Sequence, residues 1–390
     1  MSQKNKNTDS RRQRKSPTEG APKIINRREI LAGAAGIAVA GLTSPMGARA
    51  QFSGIMEGGL GVPFRLPLGA LNYLDRNEYI HNMEIISHIE GPQLRSGEPL
   101  MAMWARGAQR MIMAGRGWLD VTNPRNPEYI DLGMGMNGTV SFQESTGKWI
   151  FMRTHGQPLS GAEPGFPHGR YHEEKFRQSV SYTGLRGIST YDITDPSDPK
   201  LLNEFSTGET GSGTHHNFYD GGRYAYLDAG WSSQFRMENA QRPNGNGLMI
   251  VDMSDPENVK EVARWHVPGQ LYGEETEYHK YWFAGDHAAW TASHGAPSVP
   301  VRIEEGGRYG YGGFGHFGMI TFDFSDIANP KPVSSLLWDF ETIGGIPYHT
   351  VLPIIDSNGQ FNNIIIGLPE AIEPDCREPF KPVQVIDVSD

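Results

Sequence analysis

Histidine is the residue type whose placement in this chain could do chemistry. His216, His279 and His349 lie far apart in sequence, yet each opens a run that alternates small apolar and polar residues, as a strand start does. His155 and His294 follow such runs, and Glu370 follows another. Neutral imidazole is a good ligand for copper, iron or zinc, and three imidazoles leave a coordination position open for water or substrate. The expectation is a transition-metal site drawn from His216, His279, His349 and His155, with Glu370 and His294 beside it as catalytic groups. No compact ligand spacing such as His-Glu-x-x-His is present, so only the fold can bring these side chains together. The plainer alternative is that strand-end histidines bond neighbouring backbone or carboxylates and hold no ion.

The elements that must position them are strands. Thr214 to Val267 reads as four: His216 to Asp220, Arg223 to Asp228, Leu248 to Met253 and Val259 to Val267, with Gly221-Gly222 and Ser254-Asp255-Pro256 as turns. The third-strand motif recurs as GWLDVTNP, GISTYDITDP, GLMIVDMSDP, GMITFDFSDI and VQVIDVSD, with its aspartate at 120, 192, 252, 323 and 387. Intervals of that size are too long for a helical-pair repeat and suit a four-stranded blade carrying an insertion. The fold class expected is therefore all-β, a β-propeller of four-stranded antiparallel blades with five repeats visible.

Taken in order, the first blade uses Leu100 to Arg106, Arg110 to Ala114, Gly117 to Val121 and Tyr129 to Leu132. The second uses Thr139 to Gln143, Lys148 to Arg153, Ile188 to Ile193 and Leu201 to Phe205. The fourth uses His279 to Phe283, His287 to Ser293, Met319 to Phe324 and Val333 to Phe340. The fifth has His349 to Ile355, Asn362 to Gly367 and Val383 to Val388, with no fourth strand. Either Met83 to Glu90 completes it and closes a five-bladed ring, or the chain is a truncated form of a larger ring.

In such a blade the start of strand one, the end of strand two and the start of strand three share one face of the disc. That geometry gathers most of the thirteen histidines at one mouth. A small-molecule substrate there would meet Trp231, Trp282 and Tyr311. The run Gly310 to Gly315 matches a dinucleotide-loop glycine pattern but leads into a strand, not a helix that could hold a pyrophosphate, so it is expected to be an aromatic lid.

Residues 1–50 stand apart from the fold. A basic lead precedes Asn26-Arg27-Arg28-Glu29-Ile30-Leu31, then a Gly/Ala-rich apolar run and Ala48-Arg49-Ala50 as a cleavage site. This resembles a twin-arginine export signal, and the resemblance implies a periplasmic or secreted protein translocated already folded. The apolar run, about 13 residues, is shorter than the roughly 20 that span a bilayer. Residues 51–82 read as an irregular segment and 83–390 as the propeller; no membrane span follows the signal.

Net charge is −10, and more negative once the basic leader is removed, which disfavours nucleic acid and anionic lipid as partners. The one cysteine, Cys376, excludes an internal disulfide. With 48 Gly, 27 Pro and no long helical periodicity, the composition suits short strands and turns.

The motifs GLMIVDMSDP, GISTYDITDP and VQVIDVSD resemble the repeat of LVIVD-repeat β-propeller proteins, from about Leu100 onward, with GMITFDFSDI departing by the loss of its turn proline. The resemblance implies architecture and leaves chemistry open. Two functions fit: an exported metal-dependent oxidoreductase, lyase or hydrolase acting on a small molecule, or a non-catalytic propeller that binds a protein or cell-envelope partner.

Overall fold

The run Gly247–Asp252 is apolar at four successive positions, which suits a strand buried on both faces, and the alternation within it decides what each face meets. Met249 and Val251 pack back against Ile150, Met152 and Ile188, while Leu248 and Ile250 pack forward against Ile320, Phe322 and Phe324. A sheet covered on both sides by neighbouring sheets is the condition of a propeller blade.

The computed structural model describes residues 84, 86–89, 103–156, 183–232, 234–235, 246–271, 273–274, 293–337, 346–370 and 383–389, all within the unit Ile80–Asp390. The architecture is a five-bladed β-propeller of antiparallel meanders. Blade 1 is β1 (Met103–Arg106), β2 (Gln109–Ala114), β3 (Gly117–Asp120) and β4 (Glu128–Asp131). Blade 2 is β5 (Gly138–Gln143), β6 (Lys148–His155), β7 (Gly187–Asp192) and β8 (Lys200–Ser206). Blade 3 is β9 (Gly213–Thr214), β10 (Tyr224–Gly230), β11 (Gly247–Asp252) and β12 (Lys260–Trp265). Blade 4 is β13 (Gly295–Ser298), β14 (Tyr309–Gly313), β15 (Met319–Asp323) and β16 (Lys331–Leu336). Blade 5, among the described residues, is β17 (Ile346–Ile355), β18 (Phe361–Glu370) and β19 (Gln384–Asp387). Among the described residues no helix is long and apolar enough to cross a membrane.

Among the described residues the four seams between consecutive blades from 1 to 5 each have an apolar cluster. Trp104 and Trp118 of blade 1 meet Val140 and Phe151 of blade 2, and Tyr311 and Met319 of blade 4 meet Tyr348, Val351 and Ile365 of blade 5. Polar bonds cross the same seams on the inner strands: the Ser141 hydroxyl donates to the Tyr219 carbonyl at 2.7 Å, and Ser298 to that of Val351 at 3.0 Å.

The repeated aspartate has a definite job. At all five positions it accepts the backbone N–H two residues on, from Thr122, Thr194, Ser254, Ser325 and Ser389, and so turns the chain out of the third strand. In blades 3 and 4 its other oxygen takes two bonds from an arginine of the second-strand region, Arg223 to Asp252 and Arg308 to Asp323. The turn proline presents its carbonyl to the preceding blade: Pro196 accepts from Trp118 Nε1 at 2.9 Å and Pro256 from Thr190 Oγ1 at 2.6 Å. Where GMITFDFSDI lacks that proline, Ile327 packs against the seam between blades 3 and 4.

Four expectations are corrected. The first two strands of blade 4 are Gly295–Ser298 and Tyr309–Gly313; the stretches expected there, from His279 to Ala292, lie outside the described residues. The glycine-rich run is therefore a strand and not a lid, because its glycines admit neighbours: a Cβ on Gly310 would fall 2.4 Å from the Phe324 ring. In blade 3 the innermost strand is Gly213–Thr214, with only a single bridge between Phe218 and Tyr226 where His216 to Asp220 was expected. Last, the described part of Met83 to Glu90 is not a strand beside blade 5. Ser87 donates to the Pro124 carbonyl at 2.6 Å, and Glu84 faces Arg125, both on the turn after β3. The stretches 1–50 and 51–82 lie outside the described residues.

Candidate metal centre

Antiparallel meanders bring the starts of β13 and β17, the residues just after β9 and the end of β18 to one level of the propeller. His215 and His216 follow β9, His294 precedes β13, His349 lies in β17 and Glu370 ends β18. Backbone bonds fix their spacing across the blades. The His216 carbonyl accepts the Ala296 N–H at 3.0 Å, and the His294 N–H donates to Gly313 at 3.0 Å. Glycine lets β17 come close: a Cβ on Gly295 would lie 2.4 Å from the His349 carbonyl oxygen, so no larger residue fits there without moving it.

The result is four imidazoles in contact. Ring centroids are 4.0 Å apart for His215 and His216, 4.8 Å for His215 and His294, 5.2 Å for His216 and His294, 4.8 Å for His216 and His349, and 4.4 Å for His294 and His349. Glu370 Oε2 lies 3.3 Å from His294 Nε2 and 3.5 Å from His349 Nε2. Two overlapping sets, His215–His216–His294 and His294–His349–Glu370, each bring their donor atoms within 4.8 Å of one another, with His294 common to both. His216 and His294 are buried.

Neutral rings present lone pairs, and nitrogen donors with one carboxylate oxygen suit a late first-row divalent ion. The residues present therefore fit a copper, iron or zinc ion. His294, His349 and Glu370 would hold it in one set, or His215, His216 and His294 in the other.

Behind this cluster lies Asp228, fully buried on β10. Burial pushes its carboxyl up to about 7, against the opposing pull of His216 and of hydrogen bonds from Asn246 and the His216 backbone. Neither Asp228 nor His215 was singled out from sequence as a ligand or catalytic group. A signal for Asp228 was present: it is a lone charged residue at the end of an otherwise apolar strand, YAYLDAG.

The other expected site residues lie elsewhere. His155 ends β6, its Nε2 against the Ser189 hydroxyl, and belongs to neither donor set. Burial, with Arg153 adding to it, pushes its imidazole down to about 4. Trp231 packs edge-on to Phe235 and His266, under the Arg264 guanidinium. Tyr311 is buried in the seam of blades 4 and 5 near Phe361. His279 and Trp282 lie outside the described residues.

Fold and site together define a β-propeller with a histidine–carboxylate cluster at one end of its third to fifth blades. No family model and no curated protein matches the sequence. Among solved structures, the hypothetical selenium-binding protein from Sulfolobus tokodaii matches with a TM-score of 0.39 and 11% identity, over 73% of this chain and 61% of that one. The chain thus spans less than two thirds of that protein's length.

Proposed function

We propose that this is an exported, metal-binding β-propeller enzyme that acts on a small molecule at the cluster of His216, His294, His349 and Glu370. One observation carries the reading: four imidazoles and a carboxylate from three blades form two donor triads, His215–His216–His294 and His294–His349–Glu370, that share His294, with the donor atoms of each within 4.8 Å of one another. Packing four imidazoles together for structure alone is a poor use of a core, because each ring brings polar atoms that an aliphatic side chain lacks. Bound there, a copper, iron or zinc ion would supply Lewis-acid or one-electron chemistry.

The residues' own contributions follow from their places. His294, shared by both donor sets, holds the centre of the cluster; Glu370, whose Oε2 lies beside both His294 and His349, is its anionic donor. The Arg27-Arg28 leader supports export of the folded protein.

The test is elemental analysis of protein exported by its native route, alongside His294→Ala and, as a control, His266→Ala, whose ring bonds Glu274 at 2.8 Å instead. About one ion per chain in the parent and the control, lost in His294→Ala, is expected. A folded parent without metal would return the protein to the non-catalytic scaffold reading. Replacing Arg27 and Arg28 by Lys should leave the protein in the cytoplasm; undiminished export would remove that part of the proposal.

A further inference from the structure

The carboxylate of Asp228 sits at the base of the histidine cluster and is tied to two of its members. Its Oδ2 accepts the backbone N–H of His216 at 3.5 Å and the Asn246 side-chain amide at 3.3 Å. The Asn246 carbonyl in turn accepts the N–H of Ser293 at 3.0 Å, and Ser293 directly precedes His294. From the other side, the Asp228 N–H donates to Asn217 Oδ1 at 3.1 Å, and Asn217 reaches Thr154 of blade 2 at 3.2 Å. One buried anion thus holds the backbone on which His216 stands and the residue before His294.

The donors around it are all neutral, and its one charged-group neighbour among the described residues is the His216 imidazole. An interior carboxylate bonded only by amides is costly where no cation answers it. An asparagine would fill the same space and make most of the same bonds. The negative charge itself is what asparagine lacks, and the place where a counter-charge fits is the imidazole cluster above it.

We propose that Asp228 is the positioning residue of the metal centre: it anchors His216 and His294 from behind and supplies the buried negative charge that the bound cation answers. This rests on the metal-binding reading above. A carboxylate behind a ligating histidine holds the backbone that carries the ring, and losing an outer partner of a metal ligand typically costs about 10- to 100-fold in metal affinity.

The experiment loads the full-length protein with Co(II), whose visible absorption reports ligand geometry, and compares the parent with Asp228→Asn and Asp228→Glu. Asp228→Asn is expected to fold, to be as heat-stable as the parent or more so when metal-free, to bind Co(II) at least about tenfold more weakly and to shift its absorption bands. Asp228→Glu, which keeps the charge, is expected to recover part of the affinity. A merely structural Asp228 would behave the other way: metal-free Asp228→Asn would lose stability or fail to fold, and that result overturns the proposal. So would a folded Asp228→Asn with unchanged affinity and spectrum, which leaves the metal reading standing. A parent that binds no Co(II) sinks both together.

Discussion

Glu370 Oε2 stands 3.3 Å from Nε2 of His294, across the seam between blades 4 and 5. The same oxygen is 3.5 Å from His349 Nε2, so one carboxylate answers two imidazoles on different inner strands. If the three act as ligands, Glu370→Gln removes the anionic donor and leaves a weaker neutral one. The expected outcome is a loss of metal affinity of at least about tenfold, with little change in the fold. Competition against a chelator of known affinity measures it, and equal retention by parent and variant would exclude Glu370 from the centre.

His155 makes a prediction about pH. Its imidazole, pushed down to about 4 by burial and then by Arg153, is neutral in the folded protein where the unfolded chain, with its ordinary value near 6.5, begins to protonate. A depressed folded value means that the stabilisation is full above about 6.5 and is lost as pH falls towards 4. Counted in full the shift amounts to about 3 kcal/mol, and solvent screening at this partly exposed ring reduces it to about 1–2 kcal/mol. His155→Gln, which can still bond Ser189, should flatten that part of the pH dependence in urea unfolding between pH 7 and 4.5. Identical slopes for the two proteins would contradict it.

Asp252 tests what the repeat motif is for. It accepts the Ser254 N–H at 2.8 Å through one oxygen and two Arg223 bonds, at 2.9 and 2.8 Å, through the other. A net hydrogen bond contributes about 1 kcal/mol and an exposed ion pair about 0–1 kcal/mol, so Asp252→Ala should cost about 1–2 kcal/mol. Asp252→Asn keeps the turn bond and should recover about half of that. Chemical denaturation of the three proteins decides, and an asparagine variant no better than alanine would show that the charge, not the turn, matters.

The recurring aspartate was legible because one local device, a side chain that turns the backbone two residues on, is needed wherever a third strand ends. That device placed blades 1, 2 and 5 closely. It could not place the first two strands of blade 4, because Gly295–Ser298 and Tyr309–Gly313 are built from glycine, proline and tyrosine, whose strand character comes from what packs on them and not from their own preference. His349, near the start of β17, and Glu370, at the end of β18, take the level that counting strand starts and ends gives them, whereas His294, expected after a second strand, precedes the first strand of its blade, and His216, expected to open a strand, follows one. Asp228 escapes such counting, since its role depends on which face of β10 it takes and on Asn246 reaching it from just before β11.

The glycines of β14 give the last prediction. Gly313 receives the His294 N–H on its carbonyl, and a Cβ there would sit 2.6 Å from the His349 carbonyl oxygen and 2.7 Å from that of Tyr348. Both are backbone atoms of β17, which cannot swing aside as a side chain can. Gly313→Ala must therefore push β17 outward and carry His349 away from His294, at a cost of about 1–3 kcal/mol for the overpacking. Gly359→Ala provides the contrast: its φ is +76° with nothing within 4 Å, so alanine there meets backbone strain alone, about 1 kcal/mol or somewhat more. Both variants should unfold at lower denaturant than the parent, but only Gly313→Ala should also bind metal more weakly. Measured on the same preparations, equal metal affinity in the two would mean that the close approach of blades 4 and 5 does not set the position of His349.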